Sequence, residues 1–339
     1  MLLTDYFRSE PDDTWAAAVQ CGVRHGTIRL PETPDFDLTS RSQLRAVADR
    51  FRAHGITPVV VEPLPNALHD HIKLGDARRD ESLEKLFVLL RNLHEIGVTT
   101  LCFNFMAHYG WTRTAVDLPE RGGARVTGFS AEAFCPDDFA ISRAQLWANY
   151  EYFLRAVLPY AEKYQIRLAL HPDDPPLERL GQVERIFTDM DAIRRGMTLV
   201  PSPCLGVTFC QACYYLMGVP LETAIPALAD RIFFIHFRNV CGVKTDFRET
   251  FHDNGAIHMA AAMRLYVENR IDVPIRVDHV PTLAGETTAA AGYDTLGRLF
   301  AIGYLKGLLD AVEGINPDES VFRCKTSRSG ICGNSGIAD

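Results

Sequence analysis

Four side chains of the types that bind transition metals lie at the ends of short apolar segments. These are His171 in LALHP, Cys210 in GVTFC, His236 in FFIHF and Asp278 in IRVDH. Imidazole, thiolate and carboxylate groups together form a competent site for a divalent transition metal ion. Each residue alone also has a plain structural explanation, because buried cysteines often act as small apolar residues and histidines often only form hydrogen bonds. The metal prediction therefore depends on whether the fold brings the four together.

Eight apolar runs rich in β-branched residues alternate with segments of helical periodicity, such as Ser42–His54, Leu83–Ile96 and Gly292–Val312. This alternation predicts an α/β fold with a parallel sheet covered by helices, and a count of eight favours a closed (β/α)₈ TIM barrel over an open sheet. The sequence contains neither a GxGxxG nor a GxxxxGK[ST] motif, so a nucleotide-binding fold is not supported. The predicted strands are Leu2–Phe7, His25–Leu30, Thr57–Pro63, Thr99–Phe105, Ile166–Pro172, Gly206–Cys210, Arg231–Phe237 and Pro274–Val280.

The barrel positions the four metal-binding candidates, because the carboxyl ends of its strands all meet at one face, where such enzymes work. We expect one catalytic barrel domain over residues 1–315. After the fourth strand, residues 107–130 form a long insertion, for which a lid over the site and a surface segment without function are both open interpretations. Residues 316–339 are rich in Gly, Ser and charge and are expected to form a flexible tail.

Composition excludes several classes of function. The 339 residues carry a formal net charge of -8, and without a basic stripe nucleic acid is not an expected partner. The longest apolar runs, Thr57–Val61 and Ile232–Phe237, are far shorter than the roughly 20 residues that span a bilayer. MLLTDYF lacks the features of a signal peptide, and nine scattered cysteines suggest no disulfide framework. We expect a cytoplasmic protein with no membrane contact.

The sequence resembles the mannonate dehydratase family. The motifs IRLALHPDDPP, GVTFC, RIFFIHFRNV and IRVDH occur in the order typical of that family, and VVVEPLPNALHDHIKLG, LRNLHEIGV, CFNFMAHYGWTRT and FRETFHDNGAIHM also look like it. The resemblance covers the chain from about Pro58 to Val312. It implies a xylose-isomerase-like barrel that holds Mn²⁺ or Fe²⁺ through His171, Cys210, His236 and Asp278. It also implies a hydro-lyase that converts D-mannonate to 2-dehydro-3-deoxy-D-gluconate in hexuronate catabolism.

Elimination of water needs a base for the C2 proton and an acid for the departing C3 hydroxyl. The resemblance implies Tyr293 and His279 for this pair and leaves open which is the base. Strand alternation would point His279 away from the side of Asp278 unless the strand ends there and the backbone turns.

Further polar residues are candidates for binding the carboxylate and hydroxyl groups of a small sugar acid, since arginine binds carboxylates in a bidentate manner. Asp173 and Asp174 in HPDDPP either form hydrogen bonds to the metal ligands or brace their loop. The substrate-binding candidates are Arg238, Asn239, Asn104, His252 and Arg113.

The chain departs from the family pattern after the last predicted strand. Val280 and Pro281 replace a usual Gly and Arg, Asp294–Gly297 differ from the usual sequence, and Ala107 replaces a Pro. Two alternatives to the dehydratase therefore stay open: a metal-dependent isomerase or epimerase that keeps the C3 hydroxyl, and a catalytically weak barrel that only binds its ligand. The four ligand types would also accept Zn²⁺. Large barrel enzymes of this kind often assemble, so a homo-oligomer is expected.

Overall fold

The computed structural model describes residues 1–313. The predicted tail, residues 316–339, and the predicted domain end at residue 315 lie outside this range. Eight parallel strands close into a barrel in the order β1-β15-β12-β11-β8-β4-β3-β2, with labels numbered along the chain. The predicted (β/α)₈ barrel is confirmed. Its strands are β1 (Leu2–Phe7), β2 (His25–Ile28), β3 (Thr57–Val61), β4 (Thr100–Asn104), β8 (Arg167–His171), β11 (Leu205–Cys210), β12 (Ile232–Phe237) and β15 (Pro274–Val277).

The helices surround the barrel and bury their apolar faces against it. Helix α2 begins after Ser40, whose side chain accepts a hydrogen bond from the Gln43 N–H and so caps the first turn. The described helices are α1 (Asp13–Gln20), α2 (Arg41–Ala53), α3 (Asn66–Leu74), α4 (Arg79–Glu95), α5 (Arg143–Tyr164), α6 (Met190–Thr198), α7 (Gln211–Leu216), α8 (Leu221–Leu228), α9 (Met259–Glu268) and α10 (Thr295–Glu313). None of these helices is both long enough and apolar enough to cross a membrane.

The apolar core has two parts. A large cluster lies between the outer faces of the strands and the helices, and a small one, including Val60, Cys102 and Phe234, fills the barrel interior. The strands are covered on both faces, which explains why they read as continuous apolar runs. The predicted strand ends differ from the observed ones by up to three residues: β15 ends at Val277, not Val280.

The insertion is an ordered part of the rim. Residues 115–119 and 125–130 form β5 (Ala115–Pro119) and β6 (Arg125–Ser130), which pair with β13 (Val240–Val243) and β14 (Asp246–Glu249) in the order β13-β14-β6-β5. Phe129 lies opposite Phe247 in this sheet. The partner strands are distant in sequence, so the local pattern suggested only an irregular segment. A second small sheet contains β7 (Ala140–Ile141), β9 (Arg179–Leu180) and β10 (Gln182–Glu184).

Close packing at the barrel generates a stability prediction. A Cβ atom at Gly206 in β11 would lie 2.3 Å from the Arg231 carbonyl oxygen and 2.6 Å from the Phe233 ring. We expect Gly206→Ala to destabilise the protein by about 1–3 kcal/mol through this overpacking, which thermal unfolding would register as a lower Tm. Gly303 in α10 is the matched control, because a Cβ there meets nothing within 4 Å and alanine favours the helix. An unchanged Tm for Gly206→Ala would contradict the packing described here.

Candidate active site and metal centre

Three of the four predicted ligands converge at the carboxyl ends of neighbouring strands. His171 ends β8, Cys210 ends β11 and His236 lies near the end of β12. One donor atom from each lies within 4.8 Å of the other two, and all three side chains are buried. Cys210 lies opposite His236 in the parallel ladder, so the register itself sets their proximity.

The two histidines have ring nitrogens that form no hydrogen bond within residues 1–313, although those of His236 lie close to carboxylates. His171 Nδ1 lies 2.7 Å from the Pro172 carbonyl oxygen, and a proton donated there leaves Nε2 with its lone pair free. Both ring nitrogens of His236 are buried without a hydrogen bond, although Nε2 lies 2.9 Å from Glu62 Oε1. Buried nitrogens without partners are costly in a protein interior, and a coordinated metal ion removes that cost. The donor set therefore fits a divalent transition metal.

The environment of Cys210 favours the thiolate, which is the metal-binding form. Burial alone raises the pKa of the Cys210 thiol, but a hydrogen bond from Cys213 and the positive charge of Arg238 outweigh it and hold that pKa well below its usual value. Arg238 Nη1 lies 3.6 Å from Cys210 Sγ. Arg238 thus contacts a predicted ligand directly.

Asp278 borders the group of three without belonging to it. Its Oδ2 lies 3.5 Å from His236 Nδ1, while its Oδ1 accepts hydrogen bonds from Arg276 at 2.7 Å and from the Tyr293 hydroxyl at 3.2 Å. Burial acts to raise the pKa of Asp278, but Arg276 and neighbouring positive charges hold it well below its usual value. The Asp278 carboxylate is therefore ionised beside the group, and its role as fourth ligand stays a prediction.

A second group of donor types, which the sequence reasoning missed, shares His236. Glu62, Cys102 and His236 also place donor atoms within 4.8 Å of one another. However, Arg276 donates to both Glu62 oxygens, at 2.8 and 3.1 Å, so this carboxylate is already neutralised. Glu62 follows β3 directly, and the rule of ligand types at strand ends could have found it. No signal in the sequence pairs it with Arg276.

The predicted catalytic pair lies at the same rim. Because β15 ends at Val277 and His279 adopts a left-handed φ of 46°, the backbone turns and brings His279 to the side of Asp278. The rings of His279 and Tyr293 are 5.3 Å apart. Burial lowers the pKa of His279, and burial together with the charge of Asp278 raises that of Tyr293 well above its usual value. The ring nitrogen Nδ1 of His279 has no hydrogen-bond partner among residues 1–313.

Two predicted substrate-binding arginines lie in a buried network of four charges. Arg113 Nη2 lies 2.9 Å from Asp174 Oδ2 and 2.7 Å from Glu249 Oε1. Arg238 Nη1 lies 2.7 Å from Asp174 Oδ2, and its Nη2 lies 2.6 Å from Glu249 Oε1. Since both guanidinium groups are held by carboxylates, the geometry gives them a positioning role, and their contact with substrate stays a prediction. Glu249 was missed because no local pattern pairs it with Arg238 and because Arg113 is distant in sequence.

The other three predicted substrate-binding side chains are also engaged within the protein. Asn239 forms hydrogen bonds with the backbone at His252 and Ile257, and Asn104 accepts one from the Met106 N–H. His252 Nε2 lies 2.7 Å from the Phe237 carbonyl oxygen. All three residues are at most 2 % exposed. They brace the loops that follow the strands.

Asp173 and Asp174 of HPDDPP differ in role. Asp173 accepts hydrogen bonds from the Ile186 and Phe187 N–H groups and so ties its loop to the following segment. Asp174 pairs with both arginines of the network, one of which contacts Cys210. Asp173 therefore braces the loop, and Asp174 acts through Arg238 on the environment of the predicted ligand Cys210.

A cavity of about 330 Å³ opens beside His236. Its size is within the range of small-molecule sites. The insertion forms part of its wall through Trp111, whose ring lies 5.5 Å from that of His171, and through Val116. The polar residues and tyrosines that line the cavity include Tyr6, Arg8, Arg29, Glu62, Arg113, His236, Arg276, Asp278, His279 and Tyr293.

A comparison with known proteins identifies the family. The family model described as D-mannonate dehydratase (UxuA) matches residues 8–138 and 136–318. The chain belongs to the D-mannonate dehydratase family. A mannonate dehydratase of Oceanobacillus iheyensis is 30% identical over 325 residues, covering 86% of this chain and 91% of the relative. One from Streptococcus equi subsp. zooepidemicus is 32% identical over 302 residues, covering 78% and 82%.

Solved structures agree with this membership. The crystal structure of mannonate dehydratase from Streptococcus suis serotype2 superimposes with a TM-score of 0.85 at 26% identity, covering 95% of this chain and 99% of the other. A D-psicose 3-epimerase from Clostridium cellulolyticum H10 has a TM-score of 0.61 at 13% identity, with 92% and 98% covered. The second likeness shows the barrel fold alone.

The two neighbouring buried cysteines provide a test of the metal centre. We expect Cys210→Ala to weaken Mn²⁺ binding by roughly 100-fold or more, since losing a ligand costs more than losing a residue that orients one. Equilibrium dialysis with metal quantification measures this change. Cys213→Ala is the matched control, because Cys213 is equally buried and lies 3.8 Å from Arg238 Nη1 but is not in the group of three donors. Equal losses in both variants would remove Cys210 from the ligand set.

Proposed function

We propose that this protein is a metal-dependent hydro-lyase that converts D-mannonate to 2-dehydro-3-deoxy-D-gluconate and water in hexuronate catabolism. The observation that carries the proposal is the single cavity that joins His236 of the donor group to His279 and Tyr293, in a chain that the family model matches almost throughout. Dehydration of a sugar acid needs both a polarising centre and a proton-transferring pair. This cavity offers residues for both.

The residues that would hold the metal are His171, Cys210, His236 and Asp278. We propose Mn²⁺ or Fe²⁺ as the ion. When bound, a divalent ion supplies a Lewis acid that polarises the substrate carboxylate and so makes the C2 proton more acidic. The protein contributes a thiolate held by Arg238 and two imidazoles with free nitrogens.

Two hydrogen-bonding observations support an assignment of the proton-transferring pair. His279 Nδ1 has no hydrogen-bond partner within residues 1–313, so we propose that the His279 ring accepts the C2 proton. The Tyr293 hydroxyl already donates a proton in its hydrogen bond to Asp278, and we propose that Tyr293 gives that proton to the departing C3 hydroxyl. Asp278, next to both, keeps the two rings in place.

Walls of the cavity position the substrate and restrict water. Trp111 and Val116 of the insertion line the cavity opposite the rim residues, so the insertion acts as a fixed cover. The departures Val280 and Pro281 do not open this wall. Val280 is 2 % exposed and its N–H donates to the Gly292 carbonyl oxygen at 2.9 Å, which fixes the segment that carries Tyr293.

The deciding experiment is turnover with metal-reconstituted protein. We incubate the protein with Mn²⁺ and D-mannonate, beside a panel of other hexonates, and assay for 2-keto-3-deoxy acids. Product formation that requires metal and is lost in Cys210→Ala supports the proposal. An isomer of unchanged mass would favour an isomerase or epimerase, and tight binding of hexonates without any product would favour a binding protein.

Proton exchange separates the base from the acid. In D₂O, Tyr293→Phe should lose dehydration by roughly 100-fold or more but still exchange the C2 hydrogen of D-mannonate, because the base remains. His279→Asn should lose both reactions. NMR of recovered substrate measures the replacement of the C2 hydrogen by deuterium. If His279→Asn retains this replacement and Tyr293→Phe loses it, Tyr293 is the base and His279 the acid. His258→Asn, at an exposed histidine that caps α9, is a control for nonspecific loss of an imidazole.

The remaining expectations complete the proposal. We propose that the protein works in the cytoplasm on a small sugar-acid substrate and that it assembles as a homo-oligomer. We also propose a single catalytic domain ending near residue 315. Size-exclusion chromatography with light scattering tests the assembly.

A further inference from the structure

Four arginines line the cavity, and they differ in what their charges contact. Arg113 is held by Asp174 and Glu249, and Arg276 by Glu62 and Asp278. Arg29 pairs with Glu32, with Nη2 and Oε1 2.9 Å apart. Arg8 forms neither a hydrogen bond nor an ion pair with any residue in the range 1–313. Its guanidinium acts electrostatically on the Asp294 carboxylate but forms no ion pair with a carboxylate of the described chain.

Two acidic side chains of the neighbouring segments have other hydrogen-bond or ion-pair partners. Asp5 binds Arg298, and Asp294 accepts a hydrogen bond from the Thr282 hydroxyl. Arg8 and Asp294 both line a neighbouring cavity of about 220 Å³, yet no ion pair joins them. Arg8 therefore keeps its five N–H donors available at the border of the two cavities.

The topology places Arg8 on the opposite side of the barrel from His171, whereas Asp278 follows β15, the strand next to β1. Arg8 directly follows β1, and His171 ends β8. In the closed order β1-β15-β12-β11-β8-β4-β3-β2, β8 is four strands from β1 in either direction, so the two strands are opposite each other. The cavity extends from His236 across the rim residues His279 and Tyr293 to Arg8.

We propose that Arg8 binds the end of the substrate chain opposite the reacting carbons, at C5 and C6, and thereby selects for long sugar acids. This inference rests on the proposed function, which places C1 to C3 at the metal donors and at the pair His279 and Tyr293. A substrate held there extends its remaining carbons toward β1. The free guanidinium donates to distal hydroxyl oxygens, and it binds an anionic C6 group more strongly. Arg8 is thus a specificity-determining residue that takes no part in proton transfer.

The test compares acids of decreasing length that share the configuration at C2 and C3. D-Mannonate has six carbons, D-lyxonate lacks C6 and L-erythronate lacks C5 and C6. Dissociation constants from calorimetry, with Mn²⁺-loaded and with metal-free protein, are measured beside kcat/KM. Arg8→Ala should weaken D-mannonate binding by roughly 10- to 100-fold, mainly through KM, and change L-erythronate binding by less than about threefold. D-Mannarate, which carries a C6 carboxylate, should lose the most affinity.

Two arginine variants serve as controls. Arg264→Ala removes an exposed arginine of α9 that also forms no hydrogen bond or ion pair with the described chain, so it should leave every acid unaffected. Arg29→Ala removes the second exposed charge at the cavity, which is already paired, and should have a small effect. Arg8→Lys keeps the charge but not the planar fork, and we expect it to retain part of the length preference.

Each remaining outcome has a definite meaning. An equal loss for all acids would overturn the inference, because Arg8 would then bind the shared C1 carboxylate. No loss for any acid, or the length-dependent loss appearing in Arg29→Ala, would also overturn it. If wild-type protein binds the acids in a length-dependent manner through Arg8 but releases no 2-keto-3-deoxy acid, the proposed reaction fails and the distal contact stands.

Discussion

The site depends on a buried network of two arginines and two carboxylates. Arg113, Asp174, Arg238 and Glu249 belong to the insertion, to the loop after β8, to the end of β12 and to the end of β14, and each side chain is at most 8 % exposed. An unpaired charge at such a position would cost several kcal/mol of desolvation, so the four segments must dock together. Because Arg238 also contacts Cys210 Sγ, the same docking sets the charge around a proposed metal ligand.

This network explains why the arginines of the cavity are not interchangeable. Arg113 and Arg276 are each neutralised by two carboxylates. Arg113 connects the insertion to Asp174 and Glu249. Arg276 orients Asp278 and Glu62. A substrate carboxylate would gain little from a guanidinium that already has two anionic partners, since its attraction is offset by their repulsion. Arg113 and Arg276 are therefore close to charge-balanced, and among the four arginines of the cavity Arg8 is the one without an ion pair in the described structure.

The sequence predicts the barrel well and the site only in part. Alternation of apolar runs with helical periodicity identifies all eight strands, because their burial on both faces leaves a local signal. The rule of ligand types at strand ends places His171, Cys210 and His236 together, since it needs only strand ends and a closed sheet. The pairing of Arg113 with Glu249, and of Arg276 with Glu62, leaves no local signal, because these partners are more than 100 residues apart. The pairing of β6 in the insertion with β14 is hidden for the same reason, although β5 and β6 pair locally.

Except for Ala107, which follows β4, the departures from the family pattern gather at one side of the rim. Pro281 packs so tightly against Gly297 that a Cβ there would lie 2.0 Å from the Pro281 carbonyl oxygen, and Asp294 and Thr295 border the same small cavity as Arg8. All of these residues lie next to β1 and β15, away from β8 and β11, which supply His171 and Cys210. Substitutions at that side adjoin the proposed catalytic pair, since His279 directly precedes Val280 and Tyr293 directly precedes Asp294, but they leave His171 and Cys210 unchanged. The rim beside β1 and β15 therefore carries both the proposed proton-transferring pair and Arg8, whereas His171 and Cys210 lie at the other side of the barrel, so changes in the β1 and β15 loops leave these two predicted ligands in place.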